Sequence, residues 1–174
     1  MKLARGDILK QTHVDAICIT TNGVVKKTGE CVMGRGIAQA IKKKYPGIDR
    51  TLGELIRLNG NITQVIIPRD DVIPYNILAF PVKPISKRCT GNDFVSHMNF
   101  NIGDTIPGWA CKADVNIIRQ SAINLVDLVD NYYEYWDNII LPYAGCGAGE
   151  LNWEKDICPI LSEILDDRFT AMTF

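Results

Sequence analysis

Three glycines separated by single residues stand in the stretch "LPYAGCGAGELNW", which runs from Leu141 to Trp153. Glycine permits positive φ and lets a ligand approach the backbone closely. Free N–H groups at the start of a following helix attract an anion such as phosphate. A second glycine-rich stretch, "KKTGECVMGRG", covers residues 26–36. Two such loops on neighbouring strands could hold a diphosphate from both sides, although glycines in this pattern also make simple turns.

Neither glycine loop matches a common nucleotide-binding motif. No Gly-Lys-Ser/Thr follows them, so they are not Walker A loops. The spacing is not G-x-G-x-x-G either, so a Rossmann dinucleotide site is poorly supported.

Lys83 follows the apolar run "ILAFPV" and is the candidate nucleophile. At the end of a strand it would stand at the ligand mouth, where desolvation and neighbouring cations lower a lysine pKa and favour attack on a sugar aldehyde. The alternative is a solvated lysine without a chemical role.

Three other polar residues allow two interpretations each. Asn22 either forms a turn with Gly23 or presents its amide to a sugar hydroxyl. Asp7 either caps a local turn or accepts hydrogen bonds from an exocyclic amine. Glu150 is either a general base or an acid that stabilises a helix N-terminus.

Apolar periodicity predicts the elements that must position these residues. Short β-branched or apolar runs predict strands, and apolar residues at helical spacing predict helices. One predicted helix follows "MGRG" and stops at Pro46-Gly47, with Lys42, Lys43 and Lys44 on a solvated face, and the next has Asp49 as its N-cap. The predicted strands are 14–21, 63–68, 75–82, 138–142 and 168–174, and the other predicted helices are 49–58, 113–129 and 154–165.

Alternation of strands with helices predicts an α/β domain with a largely parallel sheet covered on both faces. Ligands of such sheets bind beyond the carboxyl ends of the strands, where both glycine loops and Lys83 would lie. The length of 174 residues predicts a single domain, 1–174. Residues 84–111 show neither a helical nor a strand period of apolar residues, which predicts a loop-rich insertion. Its aromatic residues Phe94, Phe100 and Trp109 favour an ordered lid over a disordered segment.

Composition excludes several classes of function. A net charge of −1 gives no general attraction to nucleic acid or to an anionic membrane, and no apolar run is long enough to span a bilayer. The N-terminus lacks the apolar core of a signal peptide, and six cysteines without a C-x-x-C pair favour reduced thiols in the cytoplasm. His13 and His97 are not at ligand spacing, so no metal is expected.

The segments "RGDIL", "VDAICITTN", "MGRGIAQAIKKKYPG", "AFPVK" and "LPYAGCGAGELNWEKDICPIL" occur in an order and spacing that resemble macro domains, the ADP-ribose-binding modules. This resemblance implies a three-layer α/β/α fold with a mixed, largely parallel central sheet. We expect no cofactor, no membrane association and a monomer. The resemblance also implies that Asp7 binds the adenine amine, that Asn22 faces the distal ribose, and that the two glycine loops hold the diphosphate. The ligand-binding residues implied are Asp7, Ile8, Asn22, Met33, Gly34, Arg35, Gly36, Ile37, Ala144, Gly145, Cys146, Gly147, Ala148, Gly149 and Glu150.

Within the superfamily, the chain looks closest to the enzymes that remove ADP-ribose from proteins or DNA bases. In the DNA-directed enzymes the catalytic lysine is the last residue of the segment "FPTK". The matching segment here is "FPVK", which implies that role for Lys83, with Glu150 as an assisting acid or base. Protein-directed relatives have an acid where this chain has Gly149. Some relatives stack an aromatic residue on adenine where this chain has Met172, which leaves Phe174 as one candidate for stacking.

Three alternatives to hydrolysis of a modified macromolecule remain open. They are a phosphatase acting on ADP-ribose 1''-phosphate, a non-catalytic reader or sponge for ADP-ribose or related NAD-derived nucleotides, and a different nucleotide-binding α/β protein. Lys83, Lys87, Arg88, His97 and Lys112 outnumber Asp93 and Asp104 in the 83–112 region. This excess predicts either contact with a DNA backbone or a solvated loop.

Overall fold

A computed structural model describes residues 1–173 and is built around a six-stranded sheet with the order β1-β8-β7-β2-β4-β3. Strand β3 is antiparallel to β4, and the other neighbouring pairs are parallel. The predicted mixed, largely parallel sheet is therefore confirmed. Its strands are β1 Lys2–Arg5, β2 Ala16–Thr21, β3 Gln64–Ile67, β4 Asn76–Pro81, β7 Ile139–Pro142 and β8 Phe169–Thr173, while β5 Ser86–Arg88 and β6 Thr105–Pro107 form a separate ribbon.

Helices cover both faces of the sheet and make the three layers that were predicted. They are α1 Gly36–Lys44, α2 Ile48–Asn59, α3 Val115–Tyr132 and α4 Cys158–Ile164. Ile17 and Ile19 of β2 pack with α1 and α2, whereas Cys18 between them packs with α3 and α4. Side chains alternate across a strand, so a continuous apolar run is needed where both faces are buried.

Strand β1 was not predicted because its residues carry no apolar pattern. It lies at the edge of the sheet and is largely exposed, and it forms by parallel pairing with β8. Pairing across the full length of the chain leaves no trace in the local sequence. Strand β8 corresponds to the strand predicted at 168–174, of which Phe174 lies outside the described residues.

The prediction that Asp49 is an N-cap is wrong. Helix α2 begins at Ile48 after Gly47, whose φ of 97° only glycine adopts readily. The buried carboxylate of Asp49 instead forms an ion pair with Lys42, whose side chain is partly exposed, at 2.6 Å. Lys44 donates to the Leu9 carbonyl at 2.7 Å, so the predicted solvated face of α1 is partly engaged.

The predicted helix at 154–165 begins differently from its pattern. A π-helical turn spans Trp153–Ile157, and its N-cap Asn152 accepts a hydrogen bond from the Lys155 N–H at 2.9 Å. Regular α4 starts only at Cys158, where the first turn accommodates Pro159.

Residues 84–111, called the flap below, have their own small core. Strands β5 and β6 pair antiparallel, and Cys89, Ile106, Ala110 and Cys111 are buried beside the Phe94 and Phe100 rings, whose centroids lie 5.5 Å apart. Three-residue strands are too short to show a period, which is why the sequence predicted only loops here.

No helix in the described part of the chain is long and apolar enough to cross a membrane.

Candidate functional site

A cavity of about 560 Å³ opens where the parallel strands end, a size typical of small-molecule sites. The carboxyl ends of β2 and β4 lie side by side there, because Thr21 pairs with Pro81. Pro142 of β7 pairs with Met172 of β8 and extends the same edge. The two glycine loops and Lys83, widely separated in sequence, therefore meet around one space.

The lining comes from the strand ends, both glycine loops and the flap. It comprises Gly6, Ile8, Thr20, Thr21, Asn22, Val32, Gly34, Arg35, Gly36, Ile37, Ala38, Val82, Lys83, Val95, His97, Met98, Trp109, Pro142, Tyr143, Gly145, Cys146, Gly147, Ala148, Gly149, Met172 and Thr173. Most of the ligand-binding residues expected from the sequence are among these. Asp7, Met33, Ala144 and Glu150 are not.

The first glycine loop brings the N-terminus of α1 to the cavity. Gly36 has a φ of 56° and starts the helix, and the Arg35 side chain makes no capping hydrogen bond. The N–H groups of the first turn are therefore available to an anion. Met33 lies behind this loop in the apolar core.

The second glycine loop folds back on itself beside the cavity. Gly145, with a φ of 75°, accepts a hydrogen bond from the Leu151 N–H at 3.1 Å. Ala144 is fully buried behind the loop. Burial raises the pKa of the neighbouring Cys146 thiol to about 11, so that side chain stays protonated at neutral pH.

Gly149 has no room for a side chain. A Cβ at this position would collide with the carbonyl oxygen of Gly145 and would lie 2.6 Å from Cβ of Ala113. The Gly149 carbonyl also accepts the Ala113 N–H at 2.9 Å. The acid that protein-directed macro domains carry at this position is therefore incompatible with the conformation of this loop.

Lys83 bridges the flap and the second glycine loop from a buried position. Only 7% of the residue is exposed, and Nζ donates to the carbonyls of Ala148 at 2.8 Å and Trp109 at 3.3 Å. Burial lowers the pKa of the Lys83 ammonium, with a further contribution from the Arg35 cation, against the opposing influence of Cys111 and Glu150. A lysine in this state carries more neutral amine than a surface lysine does.

Asn22 and Asp7 both support the backbone next to the cavity. The Asn22 amide donates to the Val32 carbonyl at 2.9 Å and accepts from the Val24 N–H at 3.0 Å, which leaves one N–H and one lone pair free. Asp7 caps a short 3-10 turn by accepting the Leu9 N–H at 3.0 Å. Its other oxygen lies 3.7 Å from Lys10 Nζ.

Glu150 does not line the cavity. It has a φ of 61°, rare outside glycine, and its carboxylate accepts the Ser96 N–H at 2.7 Å and the Ser96 hydroxyl at 2.6 Å. The hydrogen bond from the Ser96 hydroxyl lowers the pKa of the Glu150 carboxyl most, and the hydrogen bond from the Ser96 N–H lowers it further. The side chain therefore joins the second glycine loop to the flap, an arrangement that favours a structural role over general-base catalysis.

The flap contributes four lining residues, none of which the sequence analysis assigned to ligand binding. Val95, His97, Met98 and Trp109 form one wall, although only Trp109 was noted as part of an ordered lid. At the strand end, Thr21 Oγ1 is buried and has no hydrogen-bond partner within residues 1–173. Among the same residues, no group of three His, Cys, Asp or Glu side chains converges to hold a metal ion.

No protein-family model matches the chain. No curated protein matches its sequence significantly either.

Solved structures match the fold over almost the whole chain. The macrodomain of Mycobacterium tuberculosis DarG matches with a TM-score of 0.66 and 19% identity, over 97% of this chain and 94% of that one. The macrodomain of Thermus aquaticus DarG matches with a TM-score of 0.66 and 21% identity, over 99% and 97%. Thermosipho africanus DarTG in complex with ADP-ribose matches with a TM-score of 0.63 and 17% identity, over 99% of this chain and 42% of that one.

Proposed function

We propose that this chain, which has the macro domain fold, binds ADP-ribose in the cavity at the carboxyl ends of its parallel strands and hydrolyses its bond to a modified macromolecule. One observation carries the proposal: two glycine loops and the uncapped N-terminus of α1 surround a cavity that also contains a buried lysine. That a solved neighbour of the same fold binds ADP-ribose supports the choice of ligand.

The ligand would extend along the edge of the sheet. Its diphosphate would lie between Gly34–Ile37 and Gly145–Gly149, where backbone N–H groups and the dipole of α1 favour negative charge. The adenine would lie toward Gly6 and Ile8. Asp7 Oδ2 is the oxygen left there for an exocyclic amine, since Oδ1 accepts the Leu9 N–H.

The distal ribose would then reach Asn22 and Lys83. A neutral lysine amine has two N–H donors and one lone pair. In Lys83 the carbonyls of Ala148 and Trp109 orient the two donors, which leaves the lone pair for the anomeric carbon. A buried amine held in this way suits nucleophilic attack on a sugar.

The experiment is a titration with ADP-ribose by calorimetry, followed by release assays on ADP-ribosylated DNA and ADP-ribosylated protein. Binding together with release of ADP-ribose from either substrate supports the proposal. Release of phosphate from ADP-ribose 1''-phosphate, with no release of ADP-ribose from modified DNA or protein, would identify a phosphatase. Absence of ADP-ribose binding would reject the site itself.

A non-catalytic reader is the second candidate. The observation that favours it is that, within residues 1–173, no Asp or Glu lines the cavity. ADP-ribose binding without turnover on any of these substrates would select the reader.

DNA and protein remain alternative carriers of the ADP-ribose. Part of the basic character of the flap is neutralised locally, because Lys87 pairs with Asp93 at 2.8 Å. Lys112 donates to the Asn92 side chain at 2.8 Å. A contact with a DNA backbone would thus depend on the remaining cations, such as Arg88, and it would weaken as salt concentration rises.

A further inference from the structure

We propose that His97 of the flap is the proton-transfer residue of this site, and that Glu150 positions it through Ser96. The inference rests on the proposed hydrolysis and deepens it. It assigns the acid-base role, expected for Glu150 in the sequence analysis, to a different residue.

The chemistry of the cavity lining leaves few candidates for proton transfer. Within residues 1–173, the lining contains no carboxylate, and Gly149 cannot carry one. Arginine stays protonated at any physiological pH, so Arg35 cannot exchange a proton. The Cys146 thiol, with its pKa raised by burial to about 11, keeps its proton at neutral pH. His97 is the lining residue whose side-chain type both gives and takes a proton near neutrality.

The position of His97 is determined by the contact of Glu150 with Ser96. Both the Ser96 N–H and its hydroxyl donate to Glu150 Oε1, at 2.7 and 2.6 Å. This contact fixes the backbone immediately before His97 against the second glycine loop. The left-handed conformation of Glu150, at a φ of 61°, is an uncommon one that directs its side chain to the flap.

Other contacts hold the same wall in place. The Val95 N–H donates to the Ala110 carbonyl at 3.0 Å, and the Met98 N–H donates to the Val95 carbonyl at 2.9 Å. His97 is therefore carried on a turn with a defined backbone, although its side chain is exposed at the rim. The other titratable residues that line the cavity are Arg35, Lys83, Tyr143 and Cys146, and both His97 and Lys112 lie within electrostatic range of Glu150.

The proton balance of the reaction is then complete. The Lys83 lone pair forms a bond to the anomeric carbon while the bond from that carbon to the leaving nitrogen or oxygen breaks. The leaving atom keeps the electron pair and takes a proton from the His97 imidazolium. Water then gives its hydroxyl to the carbon, the amine of Lys83 is released, and the remaining proton returns to His97.

The test compares His97→Gln with His13→Gln, a matched change at the other histidine of the chain, which is exposed and does not line the cavity. We expect His97→Gln to lower kcat by about 100-fold or more, with ADP-ribose affinity within a few-fold of the parent. His97→Ala should regain activity on addition of free imidazole, and His13→Gln should match the parent.

Glu150 variants separate positioning from catalysis. Glu150→Gln keeps an oxygen that accepts from Ser96, so it should retain most of the activity that Glu150→Ala loses. A general base at position 150 would predict equal losses. An unchanged kcat in His97→Gln, or no recovery of His97→Ala by imidazole, in a parent that hydrolyses its substrate, would overturn the inference and leave the proposed function standing. A parent that binds ADP-ribose but hydrolyses no substrate would reject the hydrolase itself.

Discussion

Lys83 illustrates how the environment of one residue changes its chemistry. The side chain lies in the wall of the cavity, and the two carbonyls that accept its hydrogen bonds belong to the flap and to the second glycine loop. Burial lowers its pKa, as a nucleophilic amine requires. The same bonds also give Lys83 a structural role, so a test of catalysis must separate the two.

Replacing Lys83 by Ala is predicted to abolish turnover, by at least about 100-fold, while ADP-ribose affinity changes by only a few-fold. The reason is that the proposed diphosphate contacts come from the two glycine loops and not from the amine of Lys83. Release assays and calorimetry on the same preparation measure both quantities. Lys43→Ala, an exposed change on α1, is the control. Full activity of Lys83→Ala on every substrate that the parent cleaves would exclude the lysine mechanism.

At the scale of elements, the second glycine loop is shaped by contacts that only glycine permits. Gly149 lies against the backbone of Gly145 and against Ala113, which precedes α3. A side chain at Gly147, in contrast, would have no atom within 4 Å of its Cβ. Two glycines with the same spacing in the motif thus have different physical roles. The first is required by packing, and the second leaves space on the ligand side.

Gly149→Ala is predicted to destabilise the protein by about 1–3 kcal/mol and to weaken ADP-ribose binding, because the loop must move to relieve the clash. Gly147→Ala should leave the free energy of unfolding within about 0.5 kcal/mol of the parent. Chemical denaturation measures both values. Equal stability of the two variants would show that the loop has a different conformation in solution.

At the scale of the molecule, the two apolar layers contribute to one folding unit. Leu125 of α3 and Leu52 of α2 are fully buried on opposite faces of the sheet. The strands between them contribute alternate side chains to each layer. A substitution that leaves a cavity in either layer should therefore lower the free energy of unfolding of the whole molecule.

Leu125→Ala and Leu52→Ala are each predicted to cost about 2–5 kcal/mol in the free energy of unfolding, since each leaves a cavity in a packed layer. Leu58→Ala, at a position that is 80% exposed on α2, should have almost no effect. Urea unfolding followed by circular dichroism tests this. A separate, earlier transition in only one variant would indicate that the layers unfold independently.

The Asp49–Lys42 ion pair is predicted to affect stability in acid. Burial opposes ionisation of Asp49, but the Lys42 ammonium and backbone N–H groups hold its folded pKa below the usual 3.8. The ionised Asp49 therefore contributes its full share of the folding stability above the unfolded pKa of about 4, and that share is lost as pH falls through the lower pKa of the folded protein. Asp49→Asn should cost about 1–3 kcal/mol at neutral pH and reduce the loss of stability in acid. Unfolding curves from pH 7 to pH 2 measure both effects, and parallel curves for parent and variant would contradict the prediction.

Local sequence patterns predicted five strands of the main sheet, the four helices and the loops at the ligand edge. Buried runs such as "ICITT" and the helical period of α3 are local patterns of burial, and glycine spacing is a local pattern of backbone freedom. These patterns predicted the α/β class and the largely parallel sheet, and most of the ligand-binding residues that the resemblance to macro domains implied do line the cavity. Strand β1 and the ribbon of β5 and β6 escaped because short, exposed or edge strands carry no such pattern.

The roles of the polar residues depend instead on contacts between segments that are distant in the sequence. Glu150 meets Ser96 across 54 positions of chain, and Lys83 meets Ala148 across 65. Such contacts depend on which segments pack together, and a single polar residue leaves no periodic signal in the sequence. The same reason explains why Gly149 looked like a missing acid. Only its closeness to the Gly145 carbonyl shows that no side chain fits there.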